Sequence, residues 1–345
     1  MKSVLLRTPP GATGVRAQVL DVPVPSIGQG ELLVEMKACG LCGTDIEKAL
    51  GKYTASMPVL GHEAVGVVAG IGGDVKGFKL GDRVFPHHHV PCLNCYFCRH
   101  GSETMCQEYR KSNLDPGGFS EFFRVPGWNT SQGGVLRLPD NISFEEASLT
   151  EPVACCIRAL DRCGVRPDDS VLVVGAGPVG MAHALILHSR KARVMISDVN
   201  EGRIGFAEAA NVGPVIDASK ANVAETVRNE TSGRGADLAI VASGSKEAIV
   251  QALRSVRRGG KVCLFGVPAI GSVLDYDMSD VYNSEVSIVS SYGAAEKDTN
   301  MALGMIALRG VKLASLITHR FHIGGFERGV ETVTQGRGIK VVITP

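Results

Sequence analysis

Hydrophobic and polar residues alternate differently in the two halves of the chain. Over roughly the first 150 residues, short apolar runs are separated by Gly and Pro, a pattern typical of short strands joined by tight turns. The clearest predicted strands in this half are Ser3 to Leu6, Glu31 to Ala38, Ala64 to Ile71 and Arg83 to Phe85. The pattern predicts a compact, β-rich, barrel-like domain and not a helical bundle.

After Ser143 the chain changes to longer helical stretches that alternate with β-branched runs. Strands are predicted at 170–174, 193–197, 238–241, 261–265 and 286–289, with a short last strand at 341–343. Strands that alternate with helices indicate right-handed βαβ units and a parallel sheet. The sequence therefore predicts an α/β protein. Its 345 residues favour two domains, because a single core stops growing at roughly 250–300 residues.

Composition argues against several kinds of partner. Lys and Arg number 36 and Asp and Glu 35, so charge gives no reason to expect binding to nucleic acid or to an anionic membrane. No apolar run reaches the roughly 20 residues that cross a bilayer, and the first residues do not resemble a cleaved signal peptide. We therefore expect an intracellular, cytoplasmic protein, in which closely spaced cysteines are more often metal ligands than disulfides.

Four of the ten cysteines are closely spaced. Cys92, Cys95, Cys98 and Cys106 follow a C-x2-C-x2-C-x7-C pattern. Two-residue gaps let neighbouring thiolates converge on one tetrahedral ion, and four sulfur ligands leave no open position. The pattern predicts a closed structural zinc site. An iron–sulfur cluster uses related spacings and is the alternative.

A second candidate metal site lies between Cys42 and Glu63. A catalytic zinc takes three protein ligands and keeps a fourth position open, and Cys42, His62 and one carboxylate would meet that number. Taken alone, the two residues are more simply interpreted as a buried thiol and a core histidine. The cysteine run and a glycine-rich loop further along favour the metal site.

The glycine-rich loop is Gly175-Ala-Gly177-Pro178-Val179-Gly180. It follows the predicted strand 170–174 directly and opens a helix, which is the context that a dinucleotide-binding fingerprint requires. Gly175 would make the tight turn, Gly177 would let the backbone approach the pyrophosphate, and Gly180 would let the helix pack closely on the sheet. The free N–H groups of the helix N-terminus would then face the phosphates.

The next predicted strand is followed by Asp198. A carboxylate there would accept hydrogen bonds from the ribose hydroxyls of the adenosine and repel a 2′-phosphate, so NAD is favoured over NADP. Asp198 as a simple capping residue is the alternative. Arg203 weakens the preference for NAD, because a guanidinium at that position is able to bind a phosphate.

Together these features make the chain resemble a zinc-dependent medium-chain dehydrogenase of the alcohol dehydrogenase superfamily, in the sorbitol and threonine dehydrogenase branch. The resemblance covers essentially the full length. It implies a GroES-like β-barrel catalytic domain at 1–148, completed by 292–345, and a doubly wound Rossmann domain for NAD at 149–291, with the active site between them. The motifs that carry it are Cys42-Gly-Thr44-Asp45, Gly61-His62-Glu63, Gly81-Asp-Arg-Val84 before the four cysteines, Thr150-Glu151-Pro152 and the glycine loop.

The resemblance implies a role for each motif residue. Cys42 and His62 would bind the catalytic zinc. Classical alcohol dehydrogenases have a second cysteine where this chain has Glu151, and the polyol-like branch has glutamate there. Glu63 competes with Glu151 as the third ligand, and the sequence does not separate the two. Thr44 would take the proton of the alcohol, because its hydroxyl both donates and accepts.

Other positions follow from the same resemblance. Asp45 would orient His62. Many relatives pass the proton to a histidine at the position of Glu47, so the relay ends differently here and Glu47 receives no role. His88, in the run His87-His88-His89, would line the alcohol pocket together with Tyr53, unless the run is a solvated turn. The remaining cofactor contacts would be Val267, Ser291 and Gly293 at the nicotinamide and Lys340 at the phosphates.

The activity that the resemblance implies is hydride transfer from the secondary hydroxyl of a polyol, cyclitol or sugar alcohol to NAD⁺, with both catalytic and structural Zn²⁺. A threonine-like or simple secondary-alcohol dehydrogenase and a sugar-phosphate dehydrogenase are alternatives within the family. From a different class, a zinc-free quinone-reductase-like enzyme or a non-catalytic NAD-binding protein is disfavoured by the intact candidate ligands. The expected partners are a small-molecule alcohol and further copies of the chain, in a dimer or tetramer.

Overall fold

A computed structural model describes residues 1–8, 16–51 and 59–345. The chain forms two compact units, one of residues Met1–Ala154, Ala294–Arg309 and Ile317–Pro345 and the other of Cys155–Gly293 and Gly310–Leu316. Residues 310–316 thus belong to the second unit, although the predicted catalytic domain contains them. The assignment of catalysis and NAD binding to separate domains stays a prediction.

The elements up to the start of the second unit are mostly short strands. They are β1 (Lys2–Arg7), β2 (Arg16–Asp21), β3 (Leu32–Gly40), α1 (Gly43–Ala49), β4 (Glu63–Ile71), β5 (Arg83–Pro86), α2 (Tyr96–Arg99), β6 (Phe122–Val125), α3 (Gly127–Ser131), β7 (Val135–Arg137), α4 (Phe144–Ala147) and α5 (Thr150–Cys163). The four strands predicted in this half correspond to β1, β3, β4 and β5, which confirms them.

The later elements alternate between strand and helix. They are β8 (Ser170–Val174), α6 (Pro178–Ser189), β9 (Arg193–Asp198), α7 (Glu201–Ala210), β10 (Val215–Asp217), α8 (Val223–Glu230), β11 (Ala236–Val241), α9 (Lys246–Ser255), β12 (Val256–Leu264), α10 (Met278–Asn283), β13 (Ser287–Ser290), α11 (Glu296–Leu308), β14 (Ile317–His322), α12 (Phe326–Thr334) and β15 (Lys340–Thr344). Short 3₁₀ turns occupy Glu103–Met105, Leu313–Leu316 and Ile323–Gly325.

The first unit is built on a seven-stranded sheet. Its order is β14-β15-β3-β4-β5-β7, and β6 also pairs with β3. The pairing is antiparallel except between β14 and β15. Alternate residues of β3, namely Leu32, Val34, Met36 and Ala38, are fully buried, as expected for a strand with one face on the core. The predicted β-rich first half is confirmed.

The second unit contains a six-stranded parallel sheet in the order β10-β9-β8-β11-β12-β13. Strand β8 lies between β9 on one side and β11 on the other, so the order of the strands reverses direction between β8 and β11. The carboxyl ends of these two strands form the topological switch point, where such sheets bind ligands. Every residue of β8 is buried, which explains its continuous apolar run. The predicted α/β fold class with a doubly wound sheet is confirmed.

Strand β12 begins five residues before the predicted strand at 261. Its first part contains Arg257, Arg258, Gly259 and Gly260, residues that are typical of a turn. The pairing with β11 is irregular there, because Ala236 faces Val256 while Leu238 already faces Lys261. Gly259 absorbs the irregularity with a φ of +67°, a conformation that glycine adopts without steric strain.

Among the residues that the structure describes, none of the helices combines the length and apolar character needed to cross a bilayer.

Candidate functional site

Two neighbouring strands of the first unit bring the candidate catalytic ligands together. Gly40, the last residue of β3, pairs with Glu63, the first residue of β4. Cys42 follows β3 and His62 precedes β4, so both side chains come from adjacent strand ends. Ligand atoms of Cys42, His62 and Glu63 lie within 4.8 Å of one another. A thiolate, an imidazole and a carboxylate at this separation fit the donor set of a zinc ion.

Asp45 lies directly behind His62. Its Oδ1 is 3.4 Å from His62 Nδ1 and accepts a hydrogen bond from Gly61 N at 3.0 Å. Its Oδ2 accepts one from Cys42 N at 3.3 Å, so a single carboxylate ties both ligand residues together. Burial lowers the pKa of His62, but the charges of Asp45 and Cys42 outweigh it and hold that pKa well above its ordinary value. With Nδ1 turned to Asp45, Nε2 is the ring nitrogen left for a metal.

Lys340 pairs with Glu63 in the buried interior of the first unit. Its Nζ donates to Glu63 Oε1 at 2.6 Å and to Leu41 O at 3.2 Å, because β15 runs beside β3 and Leu41 N bonds to Val341 O. Burial lowers the pKa of Lys340, but the carboxylate of Glu63 outweighs it and raises the pKa. The ammonium of Lys340 thus pairs with Glu63, and only 3% of its side chain is exposed. Its contact with cofactor phosphates stays a prediction.

Glu151 is the other candidate for the third ligand position. It lies in the first turn of α5 and is buried. It does not belong to the group of ligand atoms formed by Cys42, His62 and Glu63, yet its charge raises the pKa of both Glu63 and Lys340. Both carboxylates therefore belong to one electrostatic cluster. Each stays a predicted candidate for the third metal ligand.

The residues that were predicted to handle the proton differ in exposure. Thr44 is half-buried in the first turn of α1, two residues from Cys42. Glu47 is exposed on the same helix, and we assign it no role in proton transfer. Tyr53, predicted at the alcohol pocket, lies outside the described residues.

The triple histidine is a buried turn after β5 and not a solvated one. Only 1% of His87 and 9% of His88 are exposed. The ring centroid of His88 lies 5.1 Å from that of His62, which brings His88 next to the candidate metal ligands. Burial, followed by the charges of His89, His62 and His87, holds the pKa of His88 well below its ordinary value. A neutral imidazole offers one donor and one acceptor.

The four cysteines of the C-x2-C-x2-C-x7-C run converge. Their sulfur atoms lie within 4.8 Å of one another, with 3.5 Å between Cys95 and Cys98 and 3.5 Å between Cys92 and Cys106. A hydrogen bond from the backbone of Cys98 lowers the pKa of Cys95 to about 7, whereas burial raises the pKa of Cys98 and of Cys106. Cys95 is therefore the cysteine that most readily forms the thiolate that binds metal. Four converging thiols fit a tetrahedral zinc ion with no open position.

The glycine loop of the second unit joins β8 to α6. Gly175 has a φ of +105°, which makes the tight turn, and its N–H donates to Ser197 O at 2.7 Å. A Cβ on Gly180 would lie 1.8 Å from Gly175 O, so only glycine allows the helix to pack this closely. A Cβ on Gly177 would meet nothing within 4 Å, and Pro178 and Val179 open α6 beside this free space.

Asp198, at the end of β9, accepts backbone hydrogen bonds on both carboxylate oxygens. Oδ2 accepts from Ala176 N at 2.7 Å, and Oδ1 accepts from Val199 N at 2.7 Å and Asn200 N at 2.8 Å. The carboxylate therefore joins the glycine loop to the end of β9. The guanidinium of Arg203 lies 3.9 Å away. Asp198 therefore caps the backbone after β9, as the alternative interpretation predicted, and it also lies beside the glycine loop.

The predicted nicotinamide contacts lie at the same edge of the sheet. Val267 follows β12 by three residues and Ser291 follows β13 directly, while Gly293 ends this part of the second unit. The carboxyl ends of β12 and β13 lie on the same side as those of β8 and β9, because all these strands are parallel. Their contact with a cofactor stays a prediction.

Two buried pairs of polar side chains in the first unit were not predicted. Lys340 pairs with Glu63, and His87 Nδ1 lies 3.0 Å from Glu296 Oε1. The partners are 277 and 209 residues apart, so no local spacing signals either pair. An isolated charged residue within an apolar segment, such as Lys340 before Val341, was the only available sign.

Comparisons with known proteins agree with this geometry. A family described as "Alcohol dehydrogenase GroES-like domain" matches residues 28–140, and one described as "Zinc-binding dehydrogenase" matches residues 178–307. The chain is 32% identical over 331 residues to an L-threonine 3-dehydrogenase of Shigella sonnei (strain Ss046), with 94% of this chain and 95% of the relative covered. It is 33% identical over 331 residues to an L-threonine 3-dehydrogenase of Enterobacter sp. (strain 638), with the same coverage.

A solved structure is similar over the whole length. The alcohol dehydrogenase TADH from Thermus sp. ATN1 superposes with a TM-score of 0.84 and 26% identity, covering 100% of this chain and 99% of that chain. Family models match both halves of the chain, and its identity to a curated relative exceeds 30% over nearly the full length. The protein belongs to the zinc-dependent medium-chain dehydrogenases, enzymes of the alcohol dehydrogenase superfamily.

Proposed function

We propose that this dehydrogenase transfers a hydride from the secondary hydroxyl of a polyol, cyclitol or sugar alcohol to NAD⁺. The observation that carries the proposal is the convergence of Cys42, His62 and Glu63, with buried His88 against the ring of His62. An imidazole beside the ligand cluster suits a substrate with several hydroxyls better than an aliphatic alcohol, because it hydrogen-bonds a second polar group.

The chain's own residues supply binding and proton transfer. Cys42, His62 and either Glu63 or Glu151 would hold the metal, and Asp45 fixes the ring of His62. When bound, zinc supplies a Lewis acid that lowers the pKa of an alcohol hydroxyl. The hydroxyl of Thr44 accepts the proton of the alcohol and passes its own proton on to water, because a hydroxyl both accepts and donates. Glu63 is buried and Cys42 and His62 are partly buried, which limits the access of bulk water and strengthens the charge interactions among them.

The cofactor would bind at the switch point of the parallel sheet, at the carboxyl ends of β8 and β11. The N–H groups at the start of α6 hold the pyrophosphate, and the open space at Gly177 supports this assignment. Bound NAD supplies the hydride acceptor. Asp198 repels a 2′-phosphate, although the nearby guanidinium of Arg203 reduces that repulsion. We propose NAD as the preferred cofactor on this basis.

A panel of alcohols tests the proposal. We expect NAD reduction with at least one polyol, and loss of turnover in Cys42→Ala while NAD binding stays near normal. Cys263→Ala, which removes a buried thiol of the second unit, is the matched control and should remain active. Turnover that survives a strong chelator would identify a zinc-free enzyme. NAD binding without turnover on any alcohol would identify a non-catalytic protein.

L-Threonine is the second candidate substrate. The support is the 32% identity to an L-threonine 3-dehydrogenase over 94% of the chain. L-Threonine is also a secondary alcohol with a polar group on the neighbouring carbon, so the same ligand cluster and His88 suit it. A higher kcat/KM for L-threonine than for every polyol in the panel would make it the substrate.

We also propose a homo-oligomer in the cytoplasm. Strand β13 is the last strand of its sheet, and an exposed edge pairs readily with another strand. The segment before it exposes large apolar side chains, including Ile270 at 91%, Val273 at 78% and Tyr282 at 83%, which a second copy would cover. Ile288→Lys on β13 should shift the molar mass in solution toward the monomer, whereas an unchanged mass would contradict this interface. None of the ten cysteines forms a disulfide bond, which supports a reducing compartment.

A further inference from the structure

The turn that carries His88 has a fixed backbone. Asn129 Nδ2 donates to His87 O at 2.7 Å and to His88 O at 3.2 Å, and His87 N donates to Gly134 O at 2.7 Å. With the backbone of the turn fixed, the side chains of its histidines can still differ in the orientation of their rings. What holds the ring of His87 therefore also determines one side of the surface on which His88 packs. The ring of His89, with its centroid 4.1 Å from that of His88, forms another side.

Glu296 holds the ring of His87. It is the first residue of α11, and its Oε1 lies 3.0 Å from His87 Nδ1 in the buried interior. The segment before α11 is itself fixed, because Tyr109 Oη donates to Ala294 O at 2.8 Å and Ala295 N donates to Asp298 Oδ2 at 2.8 Å. The carboxylate of Glu296 thus stands on a rigid base within the same unit as the histidine turn.

The effect of this pair reaches the ligand cluster through ring contacts. The rings of His87 and His88 meet edge to face, with centroids 5.4 Å apart and an interplanar angle of 86°. The ring of His88 in turn lies 5.1 Å from that of His62. Glu296, His87, His88 and His62 form a continuous packed row from α11 to the candidate metal ligands.

We propose that Glu296 is a positioning residue for substrate selection. Through His87 it keeps the imidazole of His88 in the orientation that hydrogen-bonds a second polar group, next to the hydroxyl that is oxidised. The inference rests on the proposed function. A mono-alcohol has no such group, so loss of the Glu296 contact weakens turnover of vicinal diols and leaves turnover of the matching mono-alcohol nearly unchanged. This selectivity separates positioning from a general role in stability.

The test compares kcat/KM for butane-2,3-diol with that for butan-2-ol. Glu296→Leu removes the acceptor, and we expect the diol to mono-alcohol ratio to fall about tenfold, the loss expected for one neutral hydrogen bond. Glu296→Gln keeps an acceptor oxygen and should retain most of the ratio. His87→Phe keeps the ring but not the nitrogen and should behave as Glu296→Leu does. The double variant should lose no more than either single variant, because both act through one contact.

Lys297→Gln is the matched control. Lys297 is the next residue of α11 and pairs with Glu103 at 2.8 Å, so its loss disturbs the same turn without touching His87, and the ratio should stay unchanged. Equal losses for both alcohols, or an unchanged ratio in Glu296→Leu and His87→Phe, would overturn the inference. If Glu296→Leu does not fold, His87→Phe and Glu296→Gln still decide it. A wild-type protein that oxidises neither alcohol nor any other member of the panel would instead refute the proposed function, and this inference with it.

Discussion

The ammonium of Lys340 lies 2.6 Å from Oε1 of Glu63, and both side chains are buried. Taking two charges out of water costs several kcal/mol for each ion, and mutual attraction offsets this only when the geometry is good. Here the ammonium also donates to Leu41 O at 3.2 Å. Burial raises the pKa of Glu63, and the ammonium of Lys340 acts against it, in the direction of the charged carboxylate that metal binding requires.

We expect Lys340→Met to destabilise the protein by about 3–5 kcal/mol, because it leaves the Glu63 carboxylate buried without its partner. Urea unfolding after removal of zinc from all variants measures the change without a contribution from metal binding at Glu63. The double variant Lys340→Met/Glu63→Gln removes both charges and should recover much of the loss, a coupling that a double-mutant cycle detects. Simple additivity of the two single variants would contradict the pairing. Lys297→Met, which removes an exposed lysine, controls for loss of a positive charge.

The limits of sequence prediction follow from how far apart the interacting residues are. The strands β3, β4 and β8 and the glycine loop are predictable, because apolar periodicity and the Gly175 to Gly180 spacing are local. The ligand cluster is predictable because Cys42 and His62 flank consecutive strands. The Lys340–Glu63 and His87–Glu296 pairs depend on contacts across 277 and 209 residues.

Strands with polar or turn-like sequences were also missed. Strand β14 reads Ile-Thr-His-Arg-Phe-His, with few buried side chains, and it forms because β15 offers a parallel neighbour. The early part of β12 contains two arginines and two glycines. In both cases pairing with an adjacent strand overrides the local preference of the sequence.

Gly40 controls the space around the Lys340–Glu63 pair. A Cβ at this position would lie 1.8 Å from Glu63 Oε2 and 2.9 Å from Lys340 Cε. We expect Gly40→Ala to displace the carboxylate, to cost about 1–3 kcal/mol as overpacking does, and to lower the catalytic zinc content and kcat. Gly43→Ala is the matched control, because a Cβ there meets nothing within 4 Å. Metal analysis and turnover measure both variants, and equal zinc content and activity in the two would contradict the role of Gly40.

The four-cysteine site should be separable from the catalytic ligands. We expect Cys95→Ser to lose about one equivalent of zinc, because a serine hydroxyl does not replace a thiolate ligand, and to make the segment around α2 more sensitive to proteolysis. The candidate ligands Cys42 and His62 are untouched, so the second zinc should remain. Tyr96→Ser changes the neighbouring exposed residue and should keep both ions. Full zinc occupancy in Cys95→Ser would contradict the structural site.

His183 should make the second unit sensitive to acid. It is fully buried on α6, neither ring nitrogen has a hydrogen-bond partner among the described residues, and its ring packs edge-on against Phe265 at 4.6 Å. Burial, with a smaller effect of Arg190, lowers the pKa of His183 from 6.5 to about 3. Because the folded state resists protonation, the unfolded state binds one more proton between these two pKa values. Stability therefore falls as the pH decreases from 6.5 toward about 3, by at most about 1.4 kcal/mol per pH unit.

We expect His183→Leu to stabilise the protein near neutral pH by about 1–3 kcal/mol, because it removes two buried nitrogens that lack partners. At about pH 5 the gain should be larger by about 2 kcal/mol, because the variant no longer loses stability to protonation of the unfolded state. Urea unfolding of wild type and variant at both pH values measures the difference, in which the other titrating groups cancel. His188→Gln, an exposed histidine on the same helix, should change stability little at either pH. A gain from His183→Leu that is the same at both pH values would show that His183 carries the proton in the folded state as readily as in the unfolded one.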